Sequence, residues 1–131
     1  MIIYRVAYKG IGKGPYRSGF DISIKLSDKH YGKKWPTPTI YEYDDISFMG
    51  KVYFGFESIA QILDWFSDDE LIELYDTGFK ISVFDVPDKF VKICRKQVMF
   101  ILTESSLVKV LSFDEFVELI QGKENVDTKR N

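Results

Sequence analysis

Residues 52–86 read VYFGFESIAQILDWFSDDELIELYDTGFKISVFDV, and this stretch decides the fold. Ser58 and Gln61 have the S-x-x-E/Q spacing of a helix capping box, and the same spacing recurs at Ser67 and Glu70. Two successive boxes predict two short consecutive helices between residues 58 and 76. Apolar residues repeat with helical spacing behind each box. They are predicted to form the core: Ile59, Ile62, Leu63, Phe66, Leu71 and Leu74.

The second of these helices is marked at both ends. Asp68, Asp69 and Glu70 occupy its first turn, where the helix macrodipole favours negative charge. Gly78 is suited to the left-handed conformation that ends a helix. Beyond Gly78, the sequence FKISVFDV alternates apolar and polar residues and predicts a strand at residues 79–86.

Further strands are predicted at Ile2–Tyr8, residues 97–102 and residues 107–111, with a shorter one at residues 20–26. The run at 97–102 is apolar on both faces, which is typical of a strand in the middle of a sheet. Residues 27–45 are predicted to be irregular because the Trp-Pro-Thr-Pro sequence disfavours helix. Ser112 and Glu115 form a third capping box for a C-terminal helix, with Gly122 as its predicted end.

These elements predict a single α+β domain over residues 1–122, followed by a disordered polar tail over residues 123–131. The domain is expected to contain one mainly antiparallel sheet. The two short helices of residues 58–76 and the C-terminal helix would pack on it. Length supports one domain, since the chain has 131 residues.

The composition is that of a globular protein, with 45% hydrophobic residues, 18 basic and 20 acidic residues, and a net charge of −2. No apolar run approaches the ~18 residues of a spanning helix, and no signal peptide pattern precedes the first strand. We therefore expect no membrane partner and a cytoplasmic location.

Cysteine and histidine each occur once, as Cys94 and His30. A lone cysteine excludes an intramolecular disulfide and suggests a buried structural thiol, although basic neighbours leave open a reactive thiol of lowered pKa. Without a second imidazole or a cysteine cluster, no metal site is expected. A Ser-His-Asp triad built on His30 stays open, but nothing in the sequence marks its serine.

The first 34 residues contain eight Lys or Arg and two acidic residues. A glycine-rich basic loop, KGIGKGPYRSG at residues 9–19, follows the first predicted strand. Backbone amides of such a loop can approach an anion. With the strand residue Arg5, the loop is predicted to form an anion-facing ligand-binding surface: Arg5, Lys9, Lys13, Tyr16 and Arg17. The loop matches neither glycine motif of nucleotide-binding proteins, so a plain connector and an edge-exposed Arg5 stay open.

The middle of the chain has the opposite charge. Residues 52–79 contain seven acidic residues and no Lys or Arg. Such a stretch could imitate the charge of a nucleic acid, or it could form the solvated faces of two amphipathic helices. Direct binding of nucleic acid is not expected.

Several motifs in this order resemble small tailed-phage and prophage accessory proteins of unassigned function. They are YRV near the start, GPYRSG at residues 14–19, FGFESIAQILDWF at residues 54–66, GFKISVFDV and KQVMF. The resemblance covers most of the chain through residue 100. It implies a host-takeover or anti-defence protein that acts in the cytoplasm of the infected bacterium.

A second set of residues resembles the ADP-ribosyltransferase fold. An Arg on the first strand, Arg5, and an aromatic pair before a helix, Tyr53 with Phe54, match its pattern. A late strand of that family carries a catalytic Glu, whereas this chain has Gln97 at the corresponding place. The resemblance implies a nucleotide pocket around Arg5, Tyr53 and Gln97 more readily than it implies transferase activity.

The leading hypothesis is a protein that needs no cofactor and inhibits by binding a host protein or sequestering a nucleotide second messenger. The alternative is an ADP-ribosyltransferase-like enzyme, or a degenerate relative, that binds NAD or a related nucleotide. The third is an acidic nucleic-acid mimic. Enzymatic activity is not expected under the leading hypothesis, and a homo-oligomer stays open.

Overall fold

The computed structural model describes the backbone of residues 1–17 and 19–129, and side chains as far as residue 121. Five helices and six strands alternate irregularly along this part of the chain. In chain order they are β1 (Ile2–Tyr8), α1 (Asp21–Lys29), α2 (Ile40–Ser47), β2 (Val52–Gly55), α3 (Ile59–Trp65), α4 (Asp68–Thr77), β3 (Phe79–Asp85), β4 (Val91–Ile93), β5 (Val98–Ile101), β6 (Ser106–Val110) and α5 (Phe113–Lys129).

The strands form two three-stranded antiparallel sheets, in the orders β1-β3-β6 and β2-β5-β4. The α+β class is therefore confirmed, but the expectation of one sheet is wrong. The apolar run predicted at residues 97–102 is β5, the middle strand of the second sheet. Tyr4 and Phe56 exchange backbone hydrogen bonds of 2.8 and 2.7 Å, and this antiparallel bridge connects β1 of the first sheet to the residue after β2 of the second.

The first sheet has a core on each face because side chains alternate along a strand. Val6 of β1 packs with residues of the helices, whereas Ile3 packs with residues of the second sheet. Of the predicted core residues, four are buried and two are half-buried. The buried ones are Ile62, Phe66, Leu71 and Leu74, and the half-buried ones are Ile59 and Leu63.

The helix boundaries in the central stretch follow the capping signals. Ser67 and Glu70 form both hydrogen bonds of a capping box, and the extended backbone of Phe66 separates α3 from α4. The box at Ser58 is only half formed, because the side chain of Gln61 accepts from the Glu57 N–H instead. Gly78 ends α4 in the left-handed region, with φ of 112°.

Two local predictions in the first third are wrong. Residues 20–26 lie mostly in helix α1, because Ile22 and Leu26, one turn apart, are both buried while Ile24 faces solvent. The region predicted to be irregular contains helix α2, which begins with a complete capping box of Thr39 and Glu42.

Shorter strands and turns complete the structure. Strands β2 and β4 were not predicted, and β4 lies in the basic segment before β5. Single 3-10 turns lie at Asp88–Phe90 and Leu102–Glu104. Both are short connections at the ends of strands.

The third capping pair, Ser112 with Glu115, is present at the start of α5. The helix continues past Gly122 to Lys129, so Gly122 is not its end. Disorder at residues 123–131 stays a prediction, since residues 130 and 131, and the side chains from residue 122 onward, lie outside the described residues. Within the described part of the chain, we find no helix with the length and apolar character needed to cross a membrane.

Candidate functional site

Arg5 is a buried cation next to the second sheet. It is 8% exposed, and its Nη1 donates a hydrogen bond of 2.8 Å to the backbone oxygen of Phe54. The guanidinium carbon lies 4.8 Å from the centre of the Tyr53 ring, within the range of a cation–π contact. Desolvation lowers the pKa of Arg5 to about 10, against the opposing effect of Tyr53, so the side chain is still charged at neutral pH.

Arg5 lines a cavity of about 180 Å³. The other lining residues are Gly10, Ile11, Phe84, Leu102, Ser105 and Leu107. Within the described residues, no carboxylate forms an ion pair with Arg5, and one hydrogen bond uses one of its several N–H donors. No fully buried side-chain nitrogen there lacks a hydrogen-bond partner, so the nitrogens of Arg5 that make no hydrogen bond are not fully enclosed by the protein.

The glycine-rich loop does not present its first amides to a ligand. The amide of Lys9 donates to Gly78, that of Gly10 to Ala7, and that of Gly12 to Tyr8. These donors are used within the protein, so in this conformation they do not form a phosphate cradle.

The basic side chains of the loop are exposed. They are Lys9, Lys13 and Arg17, and the ammonium of Lys9 lies 5.6 Å from the centre of the Tyr8 ring. Gly14 is a point where the loop comes near the buried cation, because a Cβ there would be 3.5 Å from Nη2 of Arg5. The cations of the predicted anion-facing surface are therefore one buried residue, Arg5, and three exposed ones.

Tyr16 belongs to a different cluster. Its hydroxyl oxygen lies 2.6 Å from Nε1 of Trp65 and 2.6 Å from Nδ1 of His30. His30 in turn places Nε2 at 2.9 Å from a carboxylate oxygen of Glu70. The indole N–H can only donate, and a neutral His30 that donates from Nε2 to the Glu70 carboxylate accepts at Nδ1, so the direction of all three hydrogen bonds is set. Trp65 donates to Tyr16, Tyr16 donates to His30, and His30 donates to Glu70.

The protonation states agree with this order. Burial raises the pKa of Tyr16 well above its ordinary value, so the hydroxyl keeps its proton. Burial also lowers the pKa of His30, an effect larger than the opposing one of Glu70, so the imidazole is neutral at pH 7. We call the hydrogen-bonded residues Trp65, Tyr16, His30 and Glu70 the clasp; its tyrosine and histidine are neutral and its glutamate is ionised at pH 7.

Among the described residues, His30 does not form the Ser-His-Asp triad that the sequence left open. Both ring nitrogens of His30 are occupied, one by Tyr16 and the other by Glu70. Sequence reasoning missed these partners, and the spacing of the residues along the chain gives no signal for them. The sequence identifies Glu70 only as a capping residue of α4. Glu70 has this role, since it accepts from the Ser67 amide, in addition to its contact with His30.

A cleft of about 350 Å³ lies beside the clasp. Trp35 forms one wall and stacks on the ring of His30 at 4.6 Å with an angle of 10°. Its charged lining residues are of both signs: Lys29, Lys34, Asp64 and Glu70. This mixed lining gives the cleft no clear preference for one ligand charge.

Gln97 lies apart from Arg5 and Tyr53. Its backbone oxygen accepts from the amide of Cys94, in the turn between β4 and β5. Tyr53 of β2 pairs with Phe100 of β5. Phe100 lies three residues after Gln97, a separation of roughly 10 Å along a strand. The structure therefore does not bring Arg5, Tyr53 and Gln97 together around one pocket.

Cys94 has the character of a structural thiol. It is partly buried, and desolvation together with the neighbouring Glu42 raises its pKa to about 12. Such a thiol is protonated at neutral pH and reacts slowly. Within the described residues, no group of three or more His, Cys, Asp or Glu side chains is placed to hold a metal ion.

The exposed face of α2 carries large apolar side chains. Tyr41 and the C-cap residue Phe48 are both 80% exposed, and Ile40 is exposed beside them. Tyr41 and Phe48 are seven residues apart and Phe48 has a helical backbone, so they lie on one face. On the opposite face Ile46 is 1% exposed and packs in a small core with Met99. The helix is therefore held firmly by one side and presents aromatic side chains on the other.

Comparisons with known proteins place the chain in a phage family. The model of the family described as "Bacteriophage T4 Y00F protein" matches residues 1–114. A similar protein of Enterobacteria phage T4, described as an uncharacterized 19.7 kDa protein of the motB–dexA intergenic region, is 40% identical over 53 residues. That alignment covers 40% of this chain and 32% of the relative, so the chain spans about a third of that protein's length. No solved structure matches the chain. Since the family match extends over most of the sequence, the chain belongs to the bacteriophage T4 Y00F protein family.

Proposed function

We propose that this phage protein acts in the infected bacterium by binding a host protein through the exposed face of α2. The observation that carries the proposal is the position of Tyr41 in α2 and Phe48 at its C-cap, each 80% exposed and seven residues apart. Isolated exposed apolar residues are normal on protein surfaces, but aromatic residues grouped on one face are typical of interaction sites.

The support beneath this face favours tight binding. The capping box of Thr39 and Glu42 fixes the start of α2, and Asp45 forms an ion pair of 3.0 Å with Lys92 of β4. Ile46 anchors the helix in the core. A helix that is already ordered loses little conformational entropy when its aromatic side chains enter a partner's groove.

The charge of α2 indicates the chemistry of the partner. The helix contains Glu42, Asp44 and Asp45 and no basic residue, and Asp44 has no ion pair within the described part of the chain. A complementary surface is an apolar groove bordered by Lys or Arg, the arrangement in which a helix lays one face into a partner.

The other hypotheses have less support. An NAD-dependent transferase would need one pocket around Arg5, Tyr53 and Gln97. Arg5 and Tyr53 are in contact, but Gln97 lies apart from them in the turn before β5. A nucleic-acid mimic would need acidic side chains whose charge is free to attract a partner. Several acidic side chains of residues 52–79 instead form ion pairs with lysines. The pairs are Lys25–Glu73, Lys96–Asp64 and Lys29–Glu70.

The test has two stages. A photoactivatable amino acid at position 41 is used to crosslink the partner in infected bacteria, and the partner is then purified and its affinity measured by calorimetry. We expect Tyr41→Ala with Phe48→Ala to weaken binding by about 30-fold or more, as loss of a hot spot does. Thermal stability should be nearly unchanged, because both side chains are exposed.

Tyr31→Ala is the matched control, since Tyr31 is an exposed aromatic residue outside α2. It should leave the affinity unchanged. Asp44→Lys should slow association and weaken its dependence on salt if the partner is basic. If the double variant binds the purified partner as the wild type does, α2 is not the docking face and the proposal fails.

A further inference from the structure

We infer that the cavity lined by Arg5 is a binding site for an oxyanion, the phosphate or carboxylate group of a small ligand. The inference concerns a different part of the molecule from α2 and does not depend on the proposed function. It rests on the burial of Arg5, on its missing anionic partner among the described residues, and on the cavity beside it.

An arginine residue that is 8% exposed is costly to keep charged without a counter-ion. The contacts within the protein offset only part of this cost. The backbone oxygen of Phe54 accepts one hydrogen bond, and the Tyr53 ring lies 4.8 Å away. One is a backbone carbonyl and the other an aromatic ring, so neither neighbour is a carboxylate counter-ion for Arg5.

Arg5 has N–H groups that Phe54 does not use, and they are not fully buried. Arg5 lines the cavity together with Gly10 and Ser105. A planar guanidinium binds phosphate or carboxylate with two parallel hydrogen bonds, and the attraction is strong where water is restricted. An oxyanion in this cavity would therefore supply the missing charge and the missing acceptors at once.

The remaining walls limit the rest of the ligand. Ile11 and Leu107 are both exposed at the cavity and are apolar, and Phe84 closes its inner side. The cavity volume of about 180 Å³ is below the ~300–1,000 Å³ of sites that enclose drug-sized molecules. The site accordingly holds the anionic end of a ligand, with an apolar portion against Ile11 and Leu107.

The loop is shaped to leave this space. Gly10 has φ of 84°, a left-handed conformation that disfavours other residues. A Cβ at Gly10 would also come within 2.9 Å of the Ser82 hydroxyl, which donates to the Gly10 backbone oxygen. The position of the loop beside Arg5 thus depends on a glycine and on a hydrogen bond from the neighbouring strand β3.

The test uses inorganic phosphate and acetate as probes, titrated at constant ionic strength. Binding is followed by the NMR signal of the arginine Nε–H groups, with thermal stability as a second readout. We expect at least one probe to shift the Arg5 signal saturably. Arg5→Met should reduce its affinity by about tenfold or more, because a charge-assisted hydrogen bond is lost. Phosphate preferred over acetate would indicate a phosphorylated ligand, and the reverse a carboxylate.

Arg17→Met is the matched control, since Arg17 is an exposed arginine of the loop. It should leave probe binding unchanged. Leu107→Trp is a second variant, which keeps Arg5 but fills the cavity with a larger ring and should also abolish binding. This variant decides the case if Arg5→Met fails to fold. The inference is overturned if neither probe binds, if Leu107→Trp binds normally in a folded protein, or if Arg17→Met weakens binding as much as Arg5→Met.

Discussion

Nε2 of His30 lies 2.9 Å from a carboxylate oxygen of Glu70, and the His30 side chain is 1% exposed. This contact joins the end of α1 to the first turn of α4, although the residues are 40 positions apart in the sequence. Glu70 also accepts from the Ser67 amide, so one carboxylate completes a helix cap and a tertiary contact. Removal of a charge or a hydrogen bond at this point should therefore affect both.

The stability of the protein should fall as the pH drops from 7 to 5. Burial holds the pKa of His30 below its ordinary 6.5 in the folded state. The unfolded chain therefore binds more protons in this range, and stability that is present above pH 6.5 is lost on acidification. Urea unfolding at several pH values measures the slope.

His30→Phe is the control for this dependence, because His30 is the only histidine in the sequence. The variant should be less stable at pH 7 and have a flatter profile between pH 7 and 5. Glu70, whose pKa is also lowered, should add acid sensitivity only below its ordinary 4.5. Burial alone would raise that pKa, but the Ser67 amide, His30 and Lys29 together outweigh burial. A wild-type profile that is flat or rises on acidification would contradict the assignment of His30 as buried and neutral.

Tyr16→Phe should lower the free energy of unfolding by about 1–3 kcal/mol, the usual cost of leaving buried polar groups unpaired. The variant keeps the ring but removes the hydroxyl that accepts from Trp65 and donates to His30. Urea unfolding at pH 7 measures the change. Tyr31→Phe, at an exposed tyrosine, should change stability by less than about 0.5 kcal/mol. Equal effects of the two substitutions would show that the clasp does not stabilise the fold.

Ser67→Ala should cost about 0.5–2 kcal/mol, the usual loss when the side chain of an N-cap is removed. Ser67 accepts from the Glu70 amide at 3.2 Å and begins α4 after the extended Phe66. Ser27→Ala, at an exposed position inside α1, should be neutral or slightly stabilising. If Ser67→Ala were stabilising as well, α3 and α4 would be one continuous helix in solution.

Ile62→Ala should be more harmful than Leu63→Ala. Ile62 is fully buried, so its truncation should cost about 2–5 kcal/mol. Leu63 was expected to be as deeply buried, but it is half-buried at the edge of the same cluster and should cost less. Chemical unfolding of the two variants gives the comparison. The reverse order of the two losses would mean that the buried face of α3 is assigned wrongly.

Cys94 should react with iodoacetamide at pH 8 more slowly than the unfolded chain, by on the order of a hundredfold or more. Desolvation and Glu42 raise its pKa to about 12, so little thiolate is present. Glu42→Gln should speed the reaction without unfolding the protein, since the carboxylate contributes to the raised pKa. Native Cys94 that reacts as quickly as the denatured thiol would contradict this assignment.

Signals within a few residues of each other determined much of the fold. The capping box of Ser67 and Glu70, the left-handed Gly78 and the apolar spacing of Leu71 and Leu74 fixed α4. These features depend on local geometry and backbone hydrogen bonds, which a short sequence specifies. The same signal at Thr39 and Glu42 marks α2 and could have been recognised despite the neighbouring prolines.

The tertiary structure decided what local patterns leave ambiguous. In residues 20–26, Ile22, Ile24 and Leu26 fit a strand, while Ile22 and Leu26 also fit a helix. The helix forms because its packing buries Ile22 and Leu26 and leaves Ile24 in solvent. The sequence of an apolar strand likewise does not identify the strands with which it pairs. The tertiary structure places β5 between β2 and β4, in a second sheet.

The candidate sites show the same division. The sequence alone singled out Arg5 as a charge on a buried strand, and its position beside Tyr53 and a cavity follows from the packing of two sheets. The contact of His30 with Tyr16 and Glu70 joins three distant segments. Such contacts form only when the segments are folded together. A polar side chain needs a hydrogen-bond partner within the protein once it is buried, and no single segment buries these side chains by itself.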